Sequence, residues 1–333
     1  METTIFYLKP EAPFHLQTGG GDHETVDLYP RSDTLSAAIC YWWFRQYGDL
    51  KGFPVQLPFQ VSSLFPAVNV NGNIQRLYPK PAGLRIDPDK HHHKVFKKIQ
   101  WLDAELFEHW RTGGKLDDYW PTDSGDQRLK RNETVLVKDE QKDLGKGALL
   151  KTDARTRVVL DRVNSASTPF HFVRVFHAED VHLWFYADLD PSQKEKFTAM
   201  LRLLGDEGIG ADRTIGMGRF SVASEKNKAL PAGNGKWLNL GIFNPVPGKA
   251  EHINWDQSSY KLETRSGWVS GYTLRRKPVP CIGENAVLHS KEKPKGNVPC
   301  VVDKDDEKIP SEKRPGFSVY RDCRGYFIPT QIH

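Results

Sequence analysis

Between Gly208 and Phe220 the chain reads GIGADRTIGMGRF, with glycines at 208, 210, 216 and 218 and arginines at 213 and 219. Glycine this dense lets backbone approach a phosphate or another chain closely. What the stretch can hold depends on what flanks it. Phosphate motifs that exploit the positive end of a helix dipole place their glycines after a strand and before a helix. Here the order is reversed: Phe197, Met200, Leu201 and Leu204 mark a helical stripe upstream, and GRFSV (218–222) starts a strand downstream. The helix end facing the loop carries partial negative charge and repels phosphate. Neither G-x-G-x-x-G nor G-x-x-x-x-G-K-S/T occurs at 205–220, so dinucleotide, P-loop and protein-kinase chemistry drop out on spacing too. An anion bound here is clasped by the guanidinium groups of Arg213 and Arg219 and by loop amides acting as a nest. The duller alternatives are a plain flexible turn, or arginines tied to their own helix's last carbonyls.

Other residue sets invite chemistry and fall short of it. His91, His92 and His93 follow Asp87 and Asp89, but three adjacent side chains cannot converge on one ion in regular structure, so no metal is expected. His15, with His23 or Lys9, is a candidate for acid–base cleavage of RNA, although nothing nearby resembles a tuned pair. Cys40, Cys281, Cys300 and Cys323 contain no C-x-x-C pair. That spacing argues against a zinc knuckle or a disulfide scaffold and fits reduced thiols in a cytosolic protein. No cofactor is expected.

The net charge of +5, from 47 Lys and Arg against 42 Asp and Glu, is too small to name an anionic partner. Its distribution says more. KVFKK (94–98), RLKR (128–131), ARTR (154–157) and LRRK (274–277) lie among aromatics and glycines, a pattern that points to nucleic acid. Arg31, Ser32 and Asp33 open a helix whose first amides suit a phosphate, with helix capping as the simpler role, above all for Asp33. Lys80, Arg85, Arg155, Arg157 and Arg162 flank strand-like runs and are placed in the same groove. Lys94, Lys97 and Lys98 stand opposite an apolar stripe and read as a solvated face. Trp42, Trp43 and Trp101 fall in helical runs as core or subunit contacts, whereas Tyr119 and Trp120, in a polar segment, are the better base-stacking candidates.

The elements that must position these residues are legible. With 38% hydrophobic residues the chain can build a core, and no apolar run of the ~18 residues a membrane span needs interrupts it. The N-terminal residues lack the basic-then-apolar pattern of a secretory signal. A first strand covers 5–14. A helix runs from Ser32 or Asp33 to a C-cap at Gly48. Asn71-Gly72 predicts a hairpin turn. Residues 94–111 predict one helix with Val95, Ile99, Leu102, Leu106 and Trp110 on one side. From 112 to 152 the apolar period collapses into a charged insertion. Strand-like runs RVVLDRV, FHFVRVF and HLWFYADL follow, and Asp190-Pro191 then opens a helix that Gly205 ends. Residues 222–236 read as a linker to a second series of strands. The first half carries a loose β-α-β-β-α-β order.

A helix, a glycine loop and a strand ending in G-x-G-x-F resemble the signature of the RAMP superfamily of CRISPR-associated proteins. The ordered segments SDTLSAAICYWWFRQYGD, VSSLFPAV, KKIQWLDAELFEHW, RVVLDRVNSAS, LLGDEGIGADRTIGMGRF and RSGWVSGYTLRRKPVPCIGENAVL are similar to one family within it, subunit four of the type III-A Csm effector. The resemblance implies an α+β chain of two ferredoxin-like (RRM-like) domains. Residues 1–225 would form the first, with a thumb-like insertion at about 112–152 carrying Arg128, Lys130 and Arg131, and 236–333 a more degenerate second. It implies a non-catalytic, cytoplasmic subunit that holds the 5′ handle of the CRISPR RNA through Gly208, Gly210, Arg213, Gly216, Gly218 and Arg219. It would meet target RNA through the guide duplex, and pair with the large polymerase/cyclase-like subunit and a neighbouring backbone RAMP subunit. Two other readings stay open: a RAMP endoribonuclease that matures CRISPR RNA, and the handle-binding subunit of a type III-B complex.

Overall fold

The structure, a computed structural model, describes residues 1–18, 25–87, 89–161, 163, 167–226, 233–269 and 271–332. The first lobe runs β1 (Glu2–Pro10), α1 (Ser32–Tyr47), β2 (Phe59–Val61), β3 (Phe65–Val70), β4 (Asn73–Pro79), α2 (His93–Lys98), β5 (Trp101–Asp103) and α3 (Ala104–Arg111). It continues with β6 (Leu129–Lys130), β7 (Val135–Leu136), β8 (Leu150–Leu160), β9 (Ser167–His177), β10 (Val181–Leu189), α4 (Lys194–Glu207) and β11 (Phe220–Lys226).

Its central sheet has the order β11-β1-β10-β3, with β2 and β3 together bordering β10, and every pairing is antiparallel. Strand β10 therefore lies between the two strands of the β1–α1–β3 unit, and β1 lies between those of β10–α4–β11. This is the split βαβ arrangement of a ferredoxin-like domain. Alternation within the strands sends their side chains to two cores. Phe6, Leu8, Leu183 and Phe185 meet Leu35, Ile39 and Trp43 of α1 and Phe197, Met200, Leu201 and Leu204 of α4. Ile5, Tyr7, Trp184 and Tyr186 face the other way, onto Leu238, Leu240, Tyr326 and Ile328. Each such side chain contributes about 1.5–3 kcal/mol by leaving water, so β1 and β10 hold both halves of the molecule together.

The Asn71-Gly72 turn has positive φ at both residues (52° and 86°) and joins β3 to β4 as expected. The helix expected over 94–111 is instead α2, β5 and α3. Asp103 causes the break: its carboxylate accepts the Leu106 amide at 2.9 Å and starts α3 afresh, while Trp101–Asp103 pairs with β4. At the other helix, α4 continues past Gly205 to Glu207. Gly205 serves packing there, since a Cβ would lie 2.3 Å from the Phe220 carbonyl.

The charged insertion does not project. Leu116, Trp120, Val135, Leu136, Val137 and Leu144 are buried in the core, and β7 and β6 extend the sheet beyond β5. Apolar residues too sparse to show a period still suffice to fold 112–149 onto an existing sheet edge. What projects is the next hairpin: β8 and β9 pair over eleven positions, from Leu150↔His177 to Leu160↔Ser167. Val158, Val159 and Leu160 near its end are 56–63% exposed.

The second lobe contains β12 (Lys236–Asn239), β13 (Ile253–Ser259), β14 (Leu262–Arg265), β15 (Val279–Ile282), β16 (Val287–Ser290), β17 (Cys300–Val302), β18 (Val319–Tyr320) and β19 (Phe327–Thr330). A four-stranded sheet of order β13-β16-β12-β19 is accompanied by the hairpins β14-β15 and β17-β18. The expected helical backing is missing from its described residues, where only short 3-10 turns occur. The sheet has no need of it, because Leu238, Leu240, Val287 and Ile328 are covered by the first lobe.

Polar bonds also join the lobes. Asp33 accepts from Arg265 at 3.0 and 3.1 Å and from Arg321, and Ser32 Oγ accepts the Ile242 amide at 2.7 Å. Neither residue caps α1; Arg31 occupies the N-cap position and its side chain makes no capping bond. Burial pushes the Asp33 carboxyl up, but Arg265 and Arg321 outweigh it and hold the group well below the usual carboxylate range.

Candidate nucleic-acid interface

The glycine loop is built by close backbone approaches. At the end of α4, Gly208 has φ 86°, and a Cβ there would lie 2.2 Å from the Met217 carbonyl. A Cβ on Gly210 would lie 2.5 Å from the His15 carbonyl, and one on Gly218 2.0 Å from that of Ile209. The contacts replacing those side chains are hydrogen bonds: Ile209 N–H to Gly218 O at 3.0 Å, Ala211 N–H to His15 O at 2.9 Å and Gly218 N–H to Pro13 O at 3.0 Å. The loop is thus stitched across its own neck and to the segment after β1. That segment is in turn tied to the projecting hairpin through Phe14 and Val175, which exchange bonds at 2.8 and 2.9 Å.

The outer part of the loop is a single 3-10 turn, Arg213–Ile215, flanked by left-handed Asp212 (φ 58°) and Gly216 (φ 83°). The amides of Ile209, Ala211, Ile215, Gly216, Met217 and Gly218 all bond to protein carbonyls and serve the loop's own structure. Arg219 is exposed and Arg213 partly so; the Arg213 guanidinium lies 6.0 Å from the centre of the Tyr41 ring on α1.

Opposite the loop stands one face of the hairpin. Its register, with Arg155↔Phe172, Arg157↔Phe170 and Val159↔Thr168, puts these six side chains on a single side. Arg157 reaches across: its Nη1 donates to Asp212 Oδ2 at 2.7 Å, and its guanidinium sits 4.0 Å from the Phe172 ring centre. Phe172 in turn packs 4.3 Å from the His15 ring. Between loop and hairpin lies a cleft of about 490 Å³. Basic groups beside aromatic rings in an open groove are the kind of surface that binds single-stranded nucleic acid.

The sequence candidates divide accordingly. Arg157 lines the cleft; Arg155 is on the same hairpin face, with its guanidinium bonded to Asp153 at 2.9 Å, and Arg213, Arg219 and the four glycines belong to the loop, Arg213 beside Tyr41 of α1. Arg31 and Ser32 lie elsewhere: Arg31 donates to Glu284 at 2.7 Å and Glu263 at 2.6 Å, so the interlobe contact consumes both residues. Lys80 donates to the Phe96 carbonyl at 2.7 Å and covers the Phe96 ring, and burial pushes its amine down to about 8. Arg85 is exposed in the irregular segment after β4. Arg128 binds Asp126 and the Asp118 carbonyl, and Lys130 the Glu140 carbonyl. Arg131 is 3% exposed and donates to Leu144 O, Lys146 O and Asp180. Arg162 and His23 lie outside the described residues.

Trp120 is buried under Phe96 rather than offered to bases. His15 is buried too, its Nδ1 2.6 Å from the Val173 carbonyl, which suits structure better than catalysis. His91 and His92 serve separate local bonds, to Trp120 O and the Val95 amide. Sequence reasoning missed Phe170, Phe172 and Asp212. The signal for the first two was present, since FHFVRVF places aromatics at alternate positions opposite the arginines of ARTR.

The family model of the RAMP superfamily matches residues 11–221, from the end of β1 through the glycine loop into β11. The chain belongs to the RAMP superfamily. Among solved structures, a chain in the crystal structure of the Csm3-Csm4 subcomplex of the type III-A CRISPR-Cas interference complex is similar over 98% of this chain and 99% of that one, with TM-score 0.65 and 18% identity. A chain of the Csm1-Csm4 cassette in complex with AMPPNP covers 100% and 99%, with TM-score 0.54 and 15% identity. A chain of the type III-B Cmr-beta complex bound to cognate target RNA and AMPPnP covers 86% of each, with TM-score 0.50 and 14% identity. No curated protein matches the sequence. At these identities the likeness concerns the fold: this RAMP chain shares its fold with chains of type III CRISPR assemblies. Among its described residues no helix is long and apolar enough to cross a membrane.

Proposed function

We propose that this RAMP protein is the handle-holding subunit of a type III-A CRISPR effector, equivalent to subunit four of the Csm complex. The observation that carries the reading is the pairing of the stitched glycine loop, bearing Arg213 and Arg219, with the basic and aromatic face of the β8–β9 hairpin. Such an arrangement positions a ribose-phosphate chain without reading its sequence. The 5′ handle of the CRISPR RNA passes between loop and hairpin. The apolar end of the hairpin leans on the guide–target duplex, and protein surfaces elsewhere meet the large polymerase/cyclase-like subunit and the neighbouring backbone RAMP subunit. Likeness over nearly the whole chain to type III-A structures supports this over the type III-B counterpart, where the match is shorter and weaker.

The subunit holds RNA and leaves catalysis to its partners. The histidine that an endoribonuclease would use is packed beneath Phe172 and bonded to backbone. The test is co-expression of the Arg213→Ala/Arg219→Ala double variant with the other effector subunits. Guide RNA is expected to be lost from the purified complex, and unchanged guide content overturns the proposal. Metal-independent cleavage of repeat RNA by the lone chain would instead favour the maturation enzyme.

A further inference from the structure

The cleft between loop and hairpin has features that backbone binding does not use. Its volume of about 490 Å³ falls in the range of small-ligand sites and exceeds what a passing phosphate needs. Phe170 lines it from β9, two positions from Phe172, whose buried ring lies beneath the Arg157 guanidinium. At its edge stands a carboxylate, Asp212, an odd choice in a site for a polyanion. The backbone holds Asp212 in place: it has φ 58°, and its carbonyl accepts the Ile215 amide at 3.1 Å. Its carboxylate is joined to Arg157 through a single oxygen and a single nitrogen, at 2.7 Å. A fixed acceptor therefore stands directly beside a fixed donor, next to the ring of Phe170.

We infer that this cleft takes one unstacked guanine of the bound RNA, with Asp212 and Arg157 as the residues that read it. The inference rests on the RNA-holding reading above and adds base preference to it. Guanine alone presents two neighbouring donors, N1–H and the N2 amino group, with an acceptor, O6, beside them. A carboxylate accepts both donors and a guanidinium donates to O6. Adenine and cytosine offer a single amino group next to a bare ring nitrogen. Uracil flanks its one N–H with two carbonyl oxygens that repel a carboxylate. Stacking on Phe170 adds affinity for any base and leaves the choice to the Asp212–Arg157 pair.

The experiment measures binding of the full chain to short oligouridines that carry one central guanine, adenine or inosine. The guanine oligomer is expected to bind roughly tenfold or more tightly than the adenine one, the usual size of one bidentate base contact. Inosine, which lacks the N2 amino group, should fall between them. Asp212→Asn replaces half of the carboxylate with a donor and should erase the preference, and Arg157→Ala should weaken it at unchanged order of preference. Thermal melting of each variant shows whether it remains folded. Equal affinity for the three oligomers, or a guanine preference that survives Asp212→Asn in a folded protein, overturns the inference. So does tight binding of free guanosine monophosphate without any preference among the oligomers. If all three bind equally and guide retention still depends on Arg213 and Arg219, the base pocket fails alone. If no RNA binds, the parent reading fails with it.

Discussion

Gly216 and Gly218 separate two effects that glycine substitutions usually mix. Both are left-handed, at φ 83° and 75°, so alanine at either site carries the same backbone penalty of roughly 1–2 kcal/mol. Their surroundings differ. A Cβ at 216 meets nothing within 4 Å, whereas one at 218 lies 2.0 Å from Ile209 O and 2.7 Å from Ile209 N. Those are backbone atoms of the neck and cannot swing aside. Gly218→Ala must open the neck, losing the Ile209–Gly218 and Gly218–Pro13 hydrogen bonds, each worth about 1 kcal/mol net. The expected cost is then about 3–4 kcal/mol at 218, from the ~1–2 of backbone strain plus the two lost bonds, against about 1–2 at 216. Denaturant unfolding of each variant gives the difference, limited proteolysis shows whether 209–217 has opened, and guide content of the assembled complex reads function. Gly216→Ala should keep its guide and Gly218→Ala lose it. Equal destabilisation by both, or guide loss confined to Gly216→Ala, would refute the argument that the closed neck aims the arginines.

Other expectations follow from the same geometry. His177 packs between Phe14 and Tyr29 with both ring nitrogens buried and unpartnered among the described residues, and burial pushes its pKa down to about 4. The unfolded chain therefore takes up the proton first; stability is fully present above about pH 6.5 and lost as pH falls toward 4, by up to about 3 kcal/mol. His177→Phe should flatten urea-unfolding stability across that window, and an unchanged slope refutes the assignment. Asp33→Ala leaves Arg321 buried without its carboxylate and Arg265 with Asp27 alone, and should cost about 3–5 kcal/mol, read as a shift in the denaturation midpoint; a loss below about 1 kcal/mol would mean the interlobe cluster is only incidental. Replacing Val158, Val159 and Leu160 with serine at the exposed hairpin end should change stability by no more than about 0.5 kcal/mol each while weakening retention of the guide–target duplex, and unchanged retention removes the hairpin end from the duplex contact.

Much of the first lobe was written locally. The Asn71-Gly72 turn, the apolar stripes of α1 and α4, the Asp190 cap and the reversed order of helix, glycine loop and strand all depend on residues within a few positions of one another. Turn chemistry, periodicity and capping act over that distance. The loop's exclusion from helix-dipole phosphate binding was likewise legible, since it needs only the order of elements. Where local signals competed, the reading failed: the stripe from Val95 to Trp110 is continuous, yet a cap at Asp103 and pairing with β4 broke it.

The site itself needed the third dimension. Arg131 and Arg157 look alike in basic clusters of the sequence, but one is buried against Asp180 and the other spans a cleft to Asp212. Asp33 reads as a helix cap until Arg265 and Arg321, 232 and 288 residues away along the chain, claim its carboxylate. Local preferences fixed which helices and turns form, because their hydrogen bonds close within a turn or two. Which charged side chains are buried in ion pairs and which stay at the surface was decided by long-range packing, because desolvation and ion pairing depend on partners that only the folded chain brings together.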